Sequence, residues 1–140
     1  MAEIEEREFE YRDAAGKRYL GTLAMPKRPN GAAVLIAHAA PGAGDHDRAV
    51  ARRLAGLGYV ALAADYHGDG EMIPIAELRP RIDALAADPT VVRAALGAAL
   101  AALASLPGVE AARIAAIGYC FGGFASLELA RGGADVAAVV

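Results

Sequence analysis

The order of apolar and polar residues along the chain predicts strands of two kinds. Residues 5–11 alternate charged side chains with aromatic or apolar ones, a period of two that is typical of a half-exposed strand. A turn at residues 14–17 leads to a second strand over 18–25, so the two segments predict an antiparallel hairpin. Four later runs are apolar throughout: residues 32–37, 59–64, 113–117 and 136–140. Strands that are apolar on both faces belong to the buried interior of a parallel sheet.

Helical patterns separate these apolar runs. A helix predicted over residues 45–57 ends at Gly58, a residue type that favours helix C-termini. Its apolar face consists of Val50, Leu54 and Leu57. Two further helices are predicted over residues 88–106 and 121–130. The first of them is opened by an Asp-Pro pair, which supplies an N-cap and a proline at the first helical position.

The alternation of strand and helix predicts an α/β fold, with a mostly parallel sheet and an N-terminal antiparallel hairpin. A length of 140 residues is the size of one domain, which we assign to residues 1–140. Residues 65–80 contain two prolines and two glycines, and they are predicted to form an irregular surface excursion.

The composition argues against several classes of protein. Hydrophobic residues make up 56% of the chain, which indicates a protein with a packed core. The formal net charge is −3, with 17 acidic and 14 basic side chains, so neither a nucleic acid nor a membrane surface is predicted as a partner. One cysteine, Cys120, excludes an internal disulfide, and with only three histidines no metal site is expected. No cofactor is predicted.

The sequence also favours a location inside the cell. Its first seven residues are acidic and lack the apolar core of a signal peptide. The longest alanine-rich run, residues 94–104, is too short and too weakly apolar to span a bilayer. A lone thiol suits a reducing compartment, so we expect a cytoplasmic protein. The abundance of alanine and arginine is typical of bacterial genomes rich in G and C.

The segment from Gly118 to Gly123 carries the clearest chemical signal. An apolar strand runs into Gly-Tyr-Cys-Phe-Gly-Gly, and a helix is predicted to follow at once. This is the pattern of the nucleophile elbow in α/β-hydrolases, with Cys120 where serine is usual. The tight turn requires small neighbours, which Gly118 and Gly122 provide. The helix N-terminus favours the thiolate, and the N–H of Phe121 is predicted to stabilise an oxyanion.

A different interpretation makes Cys120 a small buried residue of the core, as free cysteines often are. The strand before it, the glycines on both sides and the helix after it favour the elbow instead.

The sequence resembles the dienelactone hydrolase family over nearly all of its 140 residues. Besides the elbow, the similar parts are Ala37-His38 followed by Ala-Pro-Gly, Asp45-His46, residues 50–62, Asp65-Tyr66-His67-Gly68, residues 85–89 and the run up to Gly108-Val109. The resemblance implies an α/β-hydrolase-type three-layer sandwich. It also implies a hydrolase with a Cys-His-Asp triad that cleaves a lactone or another carboxylic ester. The second oxyanion donor of the family corresponds to the N–H of Ala40.

Two features depart from the family pattern. The glutamate that typically gates the resting thiol is replaced by Ala39. The triad aspartate and histidine of the family come after later strands, beyond the sixth, and have no counterpart in these 140 residues. We therefore expect an N-terminal portion of a longer hydrolase, with the C-terminal strands missing and with no activity by itself. The sheet edge at residues 136–140 is then expected to promote self-association.

Other polar residues have less specific interpretations. His38, His46 and His67 are each predicted to be structural or surface histidines, because a general base must lie within hydrogen-bond reach of the thiol. Arg79, Arg81 and Arg93 are candidates for binding a substrate carboxylate as paired donors, although a solvated helix face is the alternative for each.

Two functions of a different class stay open. The chain could be a non-catalytic binding or interaction module that kept the fold and lost the triad. A thiol-based redox or acyl-carrying role for Cys120 is the third interpretation.

Overall fold

The computed structural model describes residues 3–140, which form a mixed six-stranded sheet and four helices. The elements in chain order are β1 (Ile4–Arg12), β2 (Arg18–Pro26), β3 (Gly31–Ala37), α1 (Asp45–Gly56), β4 (Val60–Ala64), α2 (Ile75–Ala87), α3 (Thr90–Ala104), β5 (Val109–Gly118), α4 (Phe121–Arg131) and β6 (Ala138–Val139). The order of strands in the sheet is β1-β2-β4-β3-β5-β6. The first two strands form the predicted hairpin, and β2 also pairs with β4 in antiparallel orientation.

Strands β3, β4, β5 and β6 are parallel to one another, as their apolar character predicts. Ala37 at the end of β3 pairs with Ala64 at the end of β4 and with Gly118 at the end of β5. The segments that follow these three strands therefore begin at one edge of the sheet. This is the edge at which ligands bind in open α/β sheets.

Alternate residues of β3 enter two separate cores, so the sheet is covered on both faces. Leu35 belongs to the core built with α3 and α4, whereas Val34 and Ile36 belong to the core built with α1. This arrangement confirms the three-layer α/β architecture. Ion pairs add to the packing of the first core, where Arg93 of α3 donates two hydrogen bonds to the buried Glu128 of α4.

The apolar face predicted for α1 is wrong in detail. The residues that the helix buries against the sheet are Ala51 and Ala55, because small side chains let the helix axis approach the strands closely. Val50 and Leu54 are only partly buried beside them. Leu57 lies beyond the last helical turn and is 71% exposed.

The irregular excursion predicted over residues 65–80 is also wrong in its second half. Helix α2 begins at Ile75 and includes Pro80. A proline inside a helix removes the hydrogen bond to the carbonyl four residues earlier. That carbonyl belongs to Ala76, which is exposed, so water can take the place of the missing donor. The irregular segment is therefore limited to residues 65–74.

The remaining boundaries differ by a few residues from the predicted ones. Strand β5 is longer than the predicted apolar run, and β6 is reduced to two residues at the edge of the sheet. Self-association through this edge stays a prediction. Within residues 3–140 no single helix is long and apolar enough to cross a membrane; α2 and α3, which meet at an 86° bend, reach that length and composition only when taken together.

Candidate active site

Cys120 lies on a tight turn between β5 and α4. The turn spans residues 119–122 and is closed by a hydrogen bond of 2.8 Å from the N–H of Gly122 to the carbonyl of Tyr119. Cys120 has φ 53° and ψ −119°, the second position of a type II′ turn, which normally holds glycine. The sequence predicted a strained turn, and the positive φ of a cysteine is that strain. Such a conformation costs about 1–3 kcal/mol in a residue with a Cβ.

The two glycines predicted to relieve crowding do so. A Cβ on Gly118 would overlap the carbonyl oxygen of Gly122, and a Cβ on Gly122 would overlap that of Ala37. Backbone atoms cannot move aside as a flexible side chain can, so only glycine fits at both positions. Gly123 differs, because the nearest atom to its Cβ position is 3.9 Å away. The motif therefore needs its first two glycines for space and not its third.

The elbow presents a thiol and a hydrogen-bond donor side by side. The side chain of Cys120 is exposed, which is inconsistent with a buried core cysteine. In residues 3–140 the N–H of Phe121 donates to no protein group, whereas those of Gly122 and Gly123 donate to the carbonyls of Tyr119 and Cys120. Helix α4 begins at Phe121, so its positive end lies directly at the thiol.

The loop after β3 places its carbonyl groups against a cluster of three rings. The Tyr66 hydroxyl donates to the His38 carbonyl at 2.7 Å, and His38 Nδ1 donates to the Ala39 carbonyl at 2.6 Å. His67 Nε2 donates to the Ala40 carbonyl at 2.7 Å. The ring of His38 is stacked on that of Tyr66 with centroids 3.7 Å apart. We call His38, Tyr66 and His67 the ring cluster.

The histidines of the ring cluster are held in the neutral form. Burial lowers the pKa of His38 to about 4, although its hydrogen bond to Ala39 acts in the opposite direction. Burial also lowers the pKa of His67, and the nearby charge of Arg81 adds to this effect. His46 is different, because its side chain is 66% exposed and packs edge-on against Tyr119.

The three histidines behave as the sequence predicted, since each is either buried with its ring nitrogens engaged or exposed at the surface. In residues 3–140 none of them forms a hydrogen bond with Cys120. Within the same residues, no three His, Cys, Asp or Glu side chains come together as metal ligands would.

The arginines proposed as carboxylate donors lie in different surroundings, and Arg93 is already paired with the buried Glu128 of α4. Arg81 is 36% exposed and its guanidinium lies 3.4 Å from His67 Nδ1 and 3.8 Å from the carboxylate of Glu71. Arg79 is 87% exposed and pairs with Asp83 on its own helix. The structure therefore brings Arg81 to the ring cluster and gives Arg79 a solvated helix face.

Asp65 organises the loop that carries His67, and the sequence analysis gave it no role. Its buried carboxylate accepts hydrogen bonds from the N–H groups of Leu20, His67, Gly68 and Gly70, at distances between 2.8 and 3.1 Å. Tyr11 of the hairpin bonds to both backbone groups of the same residue. The available signal was an aspartate directly after a buried strand and close to two glycines, a pattern that favours a side-chain-bonded turn.

The elbow, the loop after β3 and the loop after β4 converge at one edge of the sheet, which is the geometry of an α/β-hydrolase site. The family model of dienelactone hydrolases matches residues 20–140. The chain belongs to the dienelactone hydrolase family. This finding confirms the resemblance, and the hydrolase fold with it.

Two solved structures are similar to nearly the whole chain. The protein m3DLH is 47% identical over 97% of this chain, with a TM-score of 0.90. A dienelactone hydrolase-like promiscuous phosphotriesterase from metagenomic libraries is 40% identical over 97% of this chain, with a TM-score of 0.88. The chain spans 57% of the length of each of these proteins.

More distant family members have the same fold. The dienelactone hydrolase from Anabaena variabilis is 25% identical over 97% of this chain and 62% of its own length, with a TM-score of 0.70. No curated protein matches the chain.

Proposed function

We propose that this chain supplies the nucleophile and the oxyanion donors of a hydrolase that cleaves a lactone or another carboxylic ester. The observation that carries the proposal is Cys120 itself, an exposed cysteine with φ 53° at the N-terminus of α4. A strained residue that faces solvent has no structural reason to be a cysteine, because glycine adopts this conformation at no steric cost. Membership of the dienelactone hydrolase family supports the same chemistry.

The proposed reaction proceeds through a thioester. The Cys120 thiolate attacks the ester carbonyl carbon, and the carbonyl oxygen becomes an oxyanion that accepts hydrogen bonds from the N–H groups of Phe121 and Ala40. The tetrahedral intermediate collapses as the alkoxide leaves and takes up a proton. Water then hydrolyses the thioester, which releases the carboxylic acid and restores the thiol.

We propose that the general base is not one of these 140 residues. The ring nitrogens of His38 and His67 are engaged by two loop carbonyls, the Tyr66 N–H and the Arg81 guanidinium. His46 lies on the surface of α1. Without a base, the chain can be acylated by an activated ester but has no group that activates water for the second step. Loss of a triad member lowers turnover by several powers of ten.

Arg81 is the proposed contact for a substrate that carries a carboxylate. Its side chain is partly exposed beside the ring cluster, and only part of its donor set is engaged there. Guanidinium groups bind carboxylates through two parallel hydrogen bonds. Arg79, paired with Asp83 and far more exposed, has no part in this proposal.

A second candidate reaction is the hydrolysis of a phosphotriester. It is favoured by the 40% identity to a protein described as a promiscuous phosphotriesterase. The phosphoryl oxygen would occupy the same two N–H donors, and Cys120 would be phosphorylated instead of acylated.

Stoichiometric modification of the nucleophile tests the proposal. The chain is mixed with p-nitrophenyl acetate, p-nitrophenolate release is followed by absorbance, and the modified residue is located by mass spectrometry. We expect one equivalent of nitrophenolate, an acetyl group on Cys120, and faster acylation than in the urea-denatured chain. Cys120→Ala should abolish the burst. A parallel reaction with a phosphotriester that carries a nitrophenol leaving group tests the second candidate.

The opposite result would support a non-catalytic module. If Cys120 in the folded chain is acylated no faster than in the denatured chain, the elbow gives no catalytic advantage and the proposal is wrong. A positive control is a chimera in which this chain is fused to the part of m3DLH that the chain does not span. That chimera should turn over p-nitrophenyl esters continuously, and its Cys120→Ala variant should not.

A further inference from the structure

We propose that His38, Tyr66 and His67 position the Ala40 N–H as an oxyanion donor, and that Arg81 selects the tautomer of His67 that does so. The inference rests on the proposed ester hydrolysis at Cys120. It assigns a positioning role to the whole ring cluster, none of whose described members forms a hydrogen bond with Cys120.

Three consecutive carbonyl groups of the loop after β3 point in the same direction. Residues 38, 39 and 40 each turn their carbonyl oxygen toward the ring cluster and receive a hydrogen bond from it. The peptide bonds are trans, so the N–H groups of Ala39 and Ala40 point away from the carbonyls that precede them. The hydrogen bond from His38 to the Ala39 carbonyl therefore directs the Ala40 N–H away from the ring cluster. The Ala40 carbonyl precedes Pro41, which has no N–H, so the hydrogen bond from His67 fixes the far side of Ala40 instead.

The elbow that carries Cys120 lies beside this loop. The Tyr119 N–H donates to the Ala37 carbonyl at 3.3 Å, and Gly122 is packed against the carbonyls of Ala37 and His38. The loop and the elbow are thus in direct contact. In residues 3–140 the Ala40 N–H donates to no protein group, as is also true of the Phe121 N–H. Two unpaired donors therefore lie on neighbouring segments, one of which carries the thiol.

The neighbours of His67 determine which of its ring nitrogens carries the proton. The Arg81 guanidinium can only donate, so the His67 Nδ1 that it faces must carry the lone pair. The proton is then on Nε2, where it can be donated to the Ala40 carbonyl. The other neutral tautomer would place a lone pair against the carbonyl oxygen. Arg81 therefore holds the loop indirectly, through the ring it faces.

Comparison of two reactions of the same thiol separates positioning from nucleophilicity. Acylation by p-nitrophenyl acetate passes through an oxyanion, whereas alkylation by iodoacetamide displaces iodide from a saturated carbon and forms none. A change in thiol exposure or ionisation alters both rates. A misplaced oxyanion donor lowers the acylation rate alone, so the ratio of the two rates is the readout.

Variants of His67 form the first arm of the experiment. In His67→Leu we expect the acylation rate of Cys120 to fall about tenfold and the alkylation rate to stay unchanged. A tenfold fall is smaller than the loss expected when an oxyanion donor is deleted outright, because the Ala40 N–H is displaced and not removed. His67→Gln should recover part of the loss, since its amide can donate to the Ala40 carbonyl. A purely structural role of His67 would change both rates together.

Arg81 provides a surface position for the second arm, and Arg79 on the same helix is its matched control. Arg81→Gln should lower the acylation rate several-fold and leave alkylation unchanged, while Arg79→Gln should change neither rate. The acetyl ester carries no charge, so the result does not depend on the binding of a substrate carboxylate. If His67→Leu fails to fold, the ratio of acylation to alkylation rate in Arg81→Gln tests the positioning role by itself.

The outcomes distinguish this inference from the proposed function. If Cys120 of the unaltered chain is not acylated faster than in the denatured chain, the proposed function fails and this inference with it. If acylation is fast and is equally fast in Arg81→Gln and in folded His67→Leu, only the positioning role is overturned.

Discussion

Replacement of Cys120, the proposed nucleophile, by glycine should make this protein more stable. Cys120 has φ 53° and ψ −119°, which costs a residue with a Cβ about 1–3 kcal/mol and glycine almost nothing. Glycine also lowers stability through the greater freedom of the unfolded chain, by about 0.4–1 kcal/mol relative to alanine. Since the thiol is exposed, its removal sacrifices little buried surface. Cys120→Gly should therefore be about 0.5–2 kcal/mol more stable than Cys120→Ala.

Urea unfolding of the two variants measures this difference directly. Both lack the thiol, so the comparison isolates the backbone conformation from thiol chemistry. The slope of free energy against urea should be equal in the two, and only the midpoint should shift. Ala101, an exposed residue of α3, gives a control in ordinary helical conformation. Its change to glycine should destabilise the chain by about 1 kcal/mol.

Equal stability of Cys120→Gly and Cys120→Ala, or a less stable glycine variant, would refute the reasoning. It would mean that the positive φ at Cys120 stores no free energy. The elbow would then be an ordinary turn, and the argument that function alone explains a cysteine at this position would lose its physical basis.

Three further predictions concern the glycines and the buried histidine. Gly122→Ala should suppress alkylation of Cys120 by iodoacetamide in the folded chain, whereas Gly123→Ala, which has space for a Cβ, should leave it unchanged; equal effects would show that crowding does not shape the turn. Gly97→Ala should raise the free energy of unfolding by about 0.5–1 kcal/mol, measured as a higher urea midpoint, since nothing lies within 4 Å of the new methyl group in α3. The pKa of His38 is lowered to about 4 in the folded chain, against about 6.5 when unfolded, so acidification protonates the unfolded state first. The resulting contribution, about 3 kcal/mol, should be complete above pH 6.5 and be lost as the pH falls toward 4. His38→Gln should make the urea midpoint less dependent on pH across that range, and the lowered pKa of His67 should account for part of the dependence that remains.

Features that depend on neighbouring residues could be predicted from the sequence alone. The hairpin follows from alternation within two short segments, and the parallel strands follow from runs that are apolar on both faces. The elbow was predictable for the same reason. The crowding that requires glycine at position 118 arises inside the turn itself, from the backbone of Gly122 and Gly123. At position 122 it comes from the carbonyls of Ala37 and His38, so there the motif is local and its cause is tertiary.

Features that depend on which surface an element faces needed the tertiary structure. The apolar pattern of α1 suggested its leucines as the buried face, but the close approach of the helix to the sheet selects Ala51 and Ala55. Arg79 and Arg81 look equivalent in the sequence. Residues two apart on a helix point to nearly opposite sides, so only Arg81 reaches the ring cluster.

The ring cluster is a feature that the sequence alone could not predict, because its contacts join distant segments. His38 and Tyr66 are 28 residues apart, and their rings stack only because the last residues of β3 and β4 are paired in the parallel register of Ala37 with Ala64. The same register places the loop after β3 beside the elbow after β5. Local residue types determined the strands and the turn that carries Cys120. Strand order and register, which arise from packing between distant segments, decided which polar groups surround it.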